Sequence, residues 1–527
     1  MQRADLLEQL ARPQRYDIAI VGGGATGLGV ALDAAARGLS VVLLESHDLA
    51  GGTSSRATKL VHGGVRYLAQ GNLSLVREAL HERATLLHNA PHLAQPLAFV
   101  MPAYRWWELP FYGAGLKAYD LLAGAASLGR TEFLSASQAL SALPTLRAKG
   151  LRGAVRYWDG QFDDARLAIA LARTAARHGA LVVNHCAVTA LVHVAGRVAG
   201  LRCEDRETGR AFEVQAGCVV NATGVWVDAL RQLDGQATGR TVQSLVSPSQ
   251  GVHLVVDAQF LPGRQALIVP RTADGRVLFA VPWMGKLILG TTDTPLQDLP
   301  REPLARDEEV DFILSQLGRY LVRVPTRQDV RSQWVGLRPL VRPAQAHGAA
   351  TRSISREHTV QISPTGLVTV TGGKWTTYRA MAEDVLTHCV EHRLIKPFPA
   401  SLSKDVTTNL RLVGGEAPPT EPCDLSQSPD LRLYGTEAGV VGALPGADRA
   451  LGGGLTEAMV RFAARHEYAR TVEDVLARRS RLLFLDARLA GALAADVAAV
   501  LRQETGVDPR EAEFRALAAQ YLSVAAA

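Results

Sequence analysis

Residues 16–45 read YDIAIVGGGATGLGVALDAAARGLSVVLLE, and this stretch constrains the fold more than any other. A short apolar run, Ile18–Val21, meets Gly22-Gly23-Gly24-Ala25-Thr26-Gly27, and an alanine-rich helical segment follows. A second apolar run, Val41–Leu44, ends on Glu45. The pattern predicts a strand, a tight glycine turn, a helix and a second strand. Glycines at Gly22, Gly24 and Gly27 let the backbone turn sharply and approach a pyrophosphate without side chains in the way. The helix N-terminus then offers N–H groups and a positive dipole end to the phosphates. Glu45 lies where an acid accepts from a ribose hydroxyl, and its charge disfavours a 2′-phosphate. FAD or NAD therefore fits better than NADP.

A chain of 527 residues exceeds one ordinary core, so two or three domains are expected. Hydrophobic content of 47% with 20% charged residues describes a folded globular protein. Cys186, Cys203, Cys218, Cys389 and Cys423 are scattered, with neither CxxC nor Cys/His ligand spacing. They read as buried free thiols, and no metal is expected. A formal charge of +6 suits an anionic small molecule or an anionic membrane surface. It is too mild to argue for nucleic acid, and no dense basic tract with interleaved aromatics supports that partner. The first 15 residues do not read as a signal peptide or a transit peptide. The longest uncharged stretch, Ala84–Tyr104, holds Pro91, Pro96 and Pro102, which argues against a membrane-spanning helix.

Further along, Leu75–His88 and Asp163–His178 carry apolar residues at helical spacing, the second with Gly179 as a stop. Residues 180–216 read as strands with a hairpin turn at Asp205–Arg210. Val252–Val256, Leu267–Val269, Val277–Val281 and Leu287–Leu289 read as further strands, followed by a helix over Glu308–Tyr320. Residues 455–520 are mostly helical, rich in Ala, Leu and Arg. No internal repeat of fixed period is evident.

Several segments carry chemistry. Gly51–Tyr67 (GGTSSRATKLVHGGVRY) packs Thr53, Ser54, Ser55, Thr58, Arg56, Lys59, His62 and Arg66 into one loop. Such hydroxyls, cations and backbone N–H groups suit a pyrophosphate and a flavin edge. Cys218–Gly224 (CVVNATG) is a buried strand running into a small-residue turn. VGLRPLVRP places Arg338 and Arg342 between prolines, and Arg338 suits an oxyanion or phosphate. Arg352 and Arg356 raise the same question. TGGKWTTYR reads as a glycine turn opening a helix with Lys374 in its first turn. His253 lies in the alternating run GVHLVV; it matters to chemistry only if that strand faces a flavin.

Taken in order, GGGATGLGVALDAAARGLSVVLLE, GTSSRATKLVHGGVRYL, NATGVWVD, PWMGKLILGTTDT, GLRPL and TGGKWTTYR resemble the FAD-dependent, quinone-reducing glycerol-3-phosphate dehydrogenases. The resemblance runs from about residue 15 to 395, and the helical C-terminal part fits too. It implies an α/β fold with an FAD-binding Rossmann-like domain of the D-amino-acid-oxidase-like type, a mixed-sheet substrate domain and an all-helical C-terminal domain. On that reading residues 14–90, 151–240 and 330–395 form the FAD domain. Residues 91–150 and 241–329 form the substrate domain, and 396–527 the helical one. Gly22, Gly24, Gly27 and Glu45 would hold the ADP half of a noncovalent FAD. Thr53, Ser54, Ser55 and Lys59 would lie along the pyrophosphate and ring, with Thr223 and Gly224 as a further contact. Gly373, Lys374 and Thr376 would border the isoalloxazine. Arg66, Tyr67, His253, Arg338, Arg356 and Lys374 match positions lining the family's substrate pocket. The calcium-binding loops of the mitochondrial relatives have no counterpart, since no DxDxDG-type run occurs.

The reaction implied is oxidation of sn-glycerol 3-phosphate to dihydroxyacetone phosphate, with hydride passing from C2 to flavin N5. The arginines would fix the phosphate. His253 is the first choice of base, because an imidazole titrates near working pH. Lys374 would stabilise anionic species, and Arg338 cannot act as a base. Electrons would go to a membrane quinone. Residues 104–130, with Trp106, Trp107, Phe111, Tyr112 and Tyr119 beside Arg105, Lys117 and Arg130, suit a headgroup boundary. The implied place is the cytoplasmic side, held peripherally on the inner face of the membrane, and a homodimer is compatible with the sequence. The rivals are a glycerol-3-phosphate oxidase using oxygen, another amine or amino-acid flavin oxidase of the same fold, and a flavin-binding protein without turnover.

Overall fold

Strand Arg15–Val21 pairs in parallel with Val41–Leu44 on one side and Ala211–Asn221 on the other. The computed structural model describes residues 2–68, 71–272, 275–342, 358–399, 405–418 and 423–522, without the side chains of Arg66 and Tyr67. Leu181–Val183 and Val368–Gly372 extend the parallel set outward, and His358–Ile362 closes one edge antiparallel. Cys186–Val194 and Arg197–Asp205 form a hairpin hung on Ala211–Asn221. The helix Ala25–Ala36 is buried over most of its length between the helices Asp164–Arg177 and Tyr378–Glu391. Burial on all sides explains its run of Ala and Gly, which lets neighbouring backbones come close. Asp163 starts the helix Asp164–Arg177 by accepting from Ala165 and Arg166 N–H, both at 3.2 Å.

Among the described residues the second sheet has ten strands. Its long members are Val246–Asp257, Ser332–Val341, Ala94–Ala103 and Gly153–Phe162. Two of these depart from the division drawn from sequence. Gly153–Phe162 pairs antiparallel with Ala94–Ala103 along its whole length, and Ser332–Val341 pairs likewise with Val246–Asp257. Both fall in ranges that the resemblance assigns to the FAD domain. Pro339, opposite Pro248, is tolerated because Ser332–Val341 pairs on one side only among the described residues, and Pro248 lies near the start of its strand. His253 does not sit on a half-exposed strand either, for both faces of Val246–Asp257 are buried over most of its length. Val252, Leu254 and Val256 pack toward the helix Asp307–Leu317, while Val255 joins a core with Trp283 and Trp334.

The C-terminal unit contains the helices Glu457–His466, Ala487–Thr505 and Glu511–Tyr521 and a π-helical turn, Asp474–Arg479. A small hairpin, Ala450–Gly452 with Leu455–Thr456, is added to this helical plan. It shares one hydrophobic core with the second sheet, where Phe484 lies edge-on to Trp334 with centroids 5.2 Å apart.

Candidate functional site

A cavity of about 690 Å³ runs from the carboxyl ends of the first parallel strands to the face of the second sheet. The glycine turn forms one end. Gly22 has φ +110°, and a Cβ there would lie 2.6 Å from the Ala222 carbonyl oxygen; one on Gly27 would collide with the Gly22 carbonyl. Those glycines let the helix Ala25–Ala36 press onto its strand, so that Gly24, Ala25 and Thr26 present its N-terminus to the cavity. Gly24 provides no side-chain cap and the first turn has no acid, the arrangement a phosphate group completes. The hydroxyl of Ser54 accepts from Ala25 N–H at 2.9 Å and binds the donor-rich loop to that turn. Glu45 is fixed by Gly23 N–H at 2.8 Å and His47 N–H at 2.9 Å. His47 stays neutral: burial first, then Arg301 and Arg206, push its pKa down to about 3. Thr53, Thr223 and Gly224 also line the cavity. These features fit a dinucleotide with an unphosphorylated ribose.

Two residues of the loop do something other than expected. Ser55 and Lys59 are buried and do not line the cavity. The Lys59 ammonium donates to Asp164 Oδ2 at 2.7 Å and to the Ser55 carbonyl at 2.8 Å. It lies over the rings of Trp283, Trp334 and Phe484, 5.2–5.3 Å from their centroids. Burial first, then the Arg481 charge, lowers its pKa to about 7, with Asp164 opposing. Lys59 thus fastens the loop to the helix Asp164–Arg177 and the C-terminal unit.

The far end of the cavity holds three of the residues matched to substrate, His253, Arg338 and Lys374. His253 Nε2 lies 2.8 Å from Thr58 Oγ1, and its ring stacks on Trp334 with centroids 5.1 Å apart and planes 13° apart. Burial first, then the charges of Lys59 and Arg338, hold its pKa well below the ordinary 6.5. Arg338 crosses the neighbouring strand and donates to Thr292 O at 3.0 Å, Thr291 Oγ1 and Asp293 Oδ1 at 3.2 Å and Gln250 O at 3.3 Å. It can do so because position 251 is glycine, where any Cβ would strike the guanidinium. Arg342 is exposed and lies away from the cavity.

Gly373, Lys374 and Thr376 close the wall. Lys374 does not sit in the first turn of a helix: it is extended, a 3₁₀ turn Trp375–Thr377 follows, and the α-helix begins at Tyr378. The Thr376 hydroxyl accepts from His62 N–H at 3.2 Å, and Trp375 Nε1–H donates to Ser54 O at 2.8 Å. Gly63 is held by the buried Tyr119 hydroxyl, which accepts its N–H at 2.8 Å. Arg66 and Tyr67 belong to the short helix Val65–Leu68, but their side chains lie outside the description, and Arg352 and Arg356 lie outside the described residues altogether.

Some lining residues were not singled out from sequence. Arg301 reaches the cavity from an irregular segment, where a lone arginine carries no signal. Trp226, which stands out in the sequence beside the CVVNATG turn, does line the cavity; it packs over Gly52, and its Nε1–H donates to Leu299 O at 3.2 Å. Away from the cavity, Asp48, His185 and Asp474 bring ligand atoms within 4.8 Å of one another. Guanidinium groups occupy that cluster: Arg479 donates to Asp48 Oδ1 at 2.9 Å and Arg478 to Asp474 Oδ1 at 3.0 Å.

Comparison with known proteins agrees with this geometry. The family described as FAD dependent oxidoreductase matches residues 17–383, and the C-terminal domain of alpha-glycerophosphate oxidase matches 406–512. The mitochondrial glycerol-3-phosphate dehydrogenase of Homo sapiens is 42% identical, over 91% of this chain and 69% of that protein. The mitochondrial enzyme of Arabidopsis thaliana is 41% identical over 93% of this chain and 82% of that protein. The solved glycerol-3-phosphate dehydrogenase from Bacillus halodurans complexed with FAD superimposes with TM-score 0.76 at 28% identity, over 99% and 97% of the two chains.

Proposed function

The chain belongs to the family of FAD-dependent glycerol-3-phosphate dehydrogenases, and from that premise we propose that it oxidises sn-glycerol 3-phosphate to dihydroxyacetone phosphate and passes the electrons to a membrane quinone. One observation carries the reading of the site. Arg338, Lys374 and the Thr58–His253 pair line the same cavity whose other end is the glycine turn and Glu45. When bound, FAD supplies the hydride acceptor. Gly22, Gly24, Gly27, Glu45, Thr53, Ser54, Thr223 and Gly224 would hold it, with Gly373, Lys374 and Thr376 beside its ring.

The protein's own residues do the rest. Arg338 presents a fixed positive charge to the substrate oxygens, and Lys374 adds a second. Arg66, Tyr67 and Arg356 would complete the grip on the phosphate. His253, kept neutral by its surroundings, takes the proton of the C2 hydroxyl. The direct test is anaerobic addition of glycerol 3-phosphate to the holoprotein. The flavin absorbance should bleach, whereas glycine or proline should leave it oxidised. Bleaching by an amino acid, with none by glycerol 3-phosphate, would overturn the assignment.

The acceptor is argued from the surface. On the helix Glu108–Ala123, Pro110, Phe111, Ala114, Lys117, Ala118 and Leu121 form one exposed stripe, while Gly113, Leu116, Tyr119 and Ala123 are buried. Trp106, Phe111 and Leu121 are 76%, 65% and 84% exposed. Such a mainly apolar stripe, with Lys117 within it and Arg105 and Arg130 near its ends, suits the inner face of a membrane. Among the described residues, no helix is long and apolar enough to cross one. The reading favours quinone over oxygen, so little peroxide should accompany turnover with a quinone analogue. Phe111→Glu with Leu121→Glu should lower pelleting with anionic vesicles at least about tenfold, since each buried side chain contributes about 1.5–3 kcal/mol. Unchanged pelleting would place the contact elsewhere.

A further inference from the structure

We propose that Thr58 is the group that receives the substrate's hydroxyl proton and relays it to His253. The proposal rests on the dehydrogenase reading above and concerns who stands between substrate and base. The imidazole of His253 is nearly sealed: its residue is 2% exposed. Trp334 covers one face of the ring. Along the Cδ2 edge runs the backbone of Gly290, so close that a Cβ there would lie 2.6 Å from Cδ2. Its Nε2 meets the Thr58 hydroxyl at 2.8 Å. Thr58 and His253 both line the cavity, and Thr58 is the more exposed of the two, so its Oγ1 can meet a substrate hydroxyl while bonded to Nε2.

A hydroxyl in that position has both functions a relay needs, one donated hydrogen and two acceptor lone pairs. The step balances. The electron pair of the C2–H bond leaves with its hydrogen as hydride to the bound FAD, which is reduced as the alcohol is oxidised. The C2 hydroxyl proton passes to Thr58 Oγ1 while the proton of Thr58 passes to His253 Nε2. A ketone, an intact threonine hydroxyl and an imidazolium result. Lys59, packed over Trp334, and Arg338 oppose a lasting charge on the ring, so once the product leaves the proton returns through the Thr58 hydroxyl to water in the cavity.

The test compares Thr58→Val, Thr58→Ser and His253→Gln holoproteins by anaerobic stopped-flow at saturating glycerol 3-phosphate. Valine keeps the shape and removes the relay. It should slow flavin reduction about 100-fold or more, the scale of general acid–base assistance, with FAD content and the KM for substrate little changed. Serine should restore the rate to within about threefold of wild type. The wild-type solvent isotope effect should require two protons in flight, and Thr58→Val should not retain that dependence. A readout free of turnover is the ¹⁵N spectrum of labelled histidine, in which the Nε2 resonance should move on Thr58→Val and return with serine. Flavin reduction in Thr58→Val at the wild-type rate, with His253→Gln strongly slowed, would overturn the relay and leave the dehydrogenase reading intact. Failure of the wild-type flavin to bleach would overturn that reading, and the relay with it.

Discussion

His253→Gln is expected to lower kcat about 10²–10⁴-fold while FAD stays bound, because it removes a positioned base and leaves the dinucleotide end untouched. The pH dependence follows from the surroundings of the ring. Burial first, then Lys59 and Arg338, hold its pKa well below 6.5. A base works when neutral, so the wild-type rate should persist as pH falls through about 6.5 and drop only at lower pH. The glutamine variant should lose that acid limb, and an unchanged pH–rate profile would remove His253 as the base. The same shift bears on stability with a definite sign. Unfolding frees a histidine whose ordinary pKa is about 6.5, so the unfolded chain takes up a proton first as pH falls. The contribution of the neutral ring is complete above that value and is lost below it, by up to about 1.4 kcal/mol per pH unit. His253→Gln should therefore flatten part of the acid decline in Tm.

The nucleotide end of this site is legible because its determinants are local. Gly22, Gly24, Gly27 and Glu45 fall within one strand–turn–helix–strand unit, and their spacing alone specifies which backbone groups meet a phosphate and which acid meets a ribose. The helix Asp164–Arg177 is equally readable, since its apolar spacing and the glycine that stops it fall within one short segment, Asp163–Gly179.

Where partners are distant in sequence, residue type ceases to specify the outcome. Lys59 in a loop of hydroxyls reads as a phosphate donor, yet a buried carboxylate, Asp164, claims it. Composition does not distinguish these fates, because both use the same charge and differ only in desolvation. Gly153–Phe162 and Ser332–Val341 fall in ranges assigned from sequence to the FAD domain yet belong to the second sheet, because strand pairing is set by contacts across the chain. Thr58 and His253 are each singled out from sequence, one in the donor-rich loop and the other as the first choice of base, but not as a pair. Their pairing depends on the loop meeting the sheet, and no local pattern announces it. The C-terminal helices read as a separate unit for a similar reason. Their amphipathic spacing shows a buried face, but not that Phe484 spends it against Trp334.

Arg338→Ala should reduce kcat/KM about 10²–10³-fold, mainly by raising KM, and leave the FAD content unchanged. The guanidinium is held on Thr291, Thr292, Gln250 and Asp293, so it meets the substrate as a fixed charge that pays little further ordering entropy. Those bonds also set the cost of removing it. Asp293 is 9% exposed and would lose a charged partner at 3.2 Å, so Tm should fall as well. Arg338→Lys separates the two effects. Lysine keeps a positive charge near Asp293 but lacks the planar fork, so it should recover much of the stability and little of the KM. If both variants bind substrate normally and instead lose flavin, Arg338 supports the cofactor end of the cavity. Loss of stability in both with kcat/KM intact would make it a brace between the strands Val246–Asp257 and Ser332–Val341. The cavity location and the charge it places beside His253 favour the substrate role, because a brace alone would not need a guanidinium facing the reaction space.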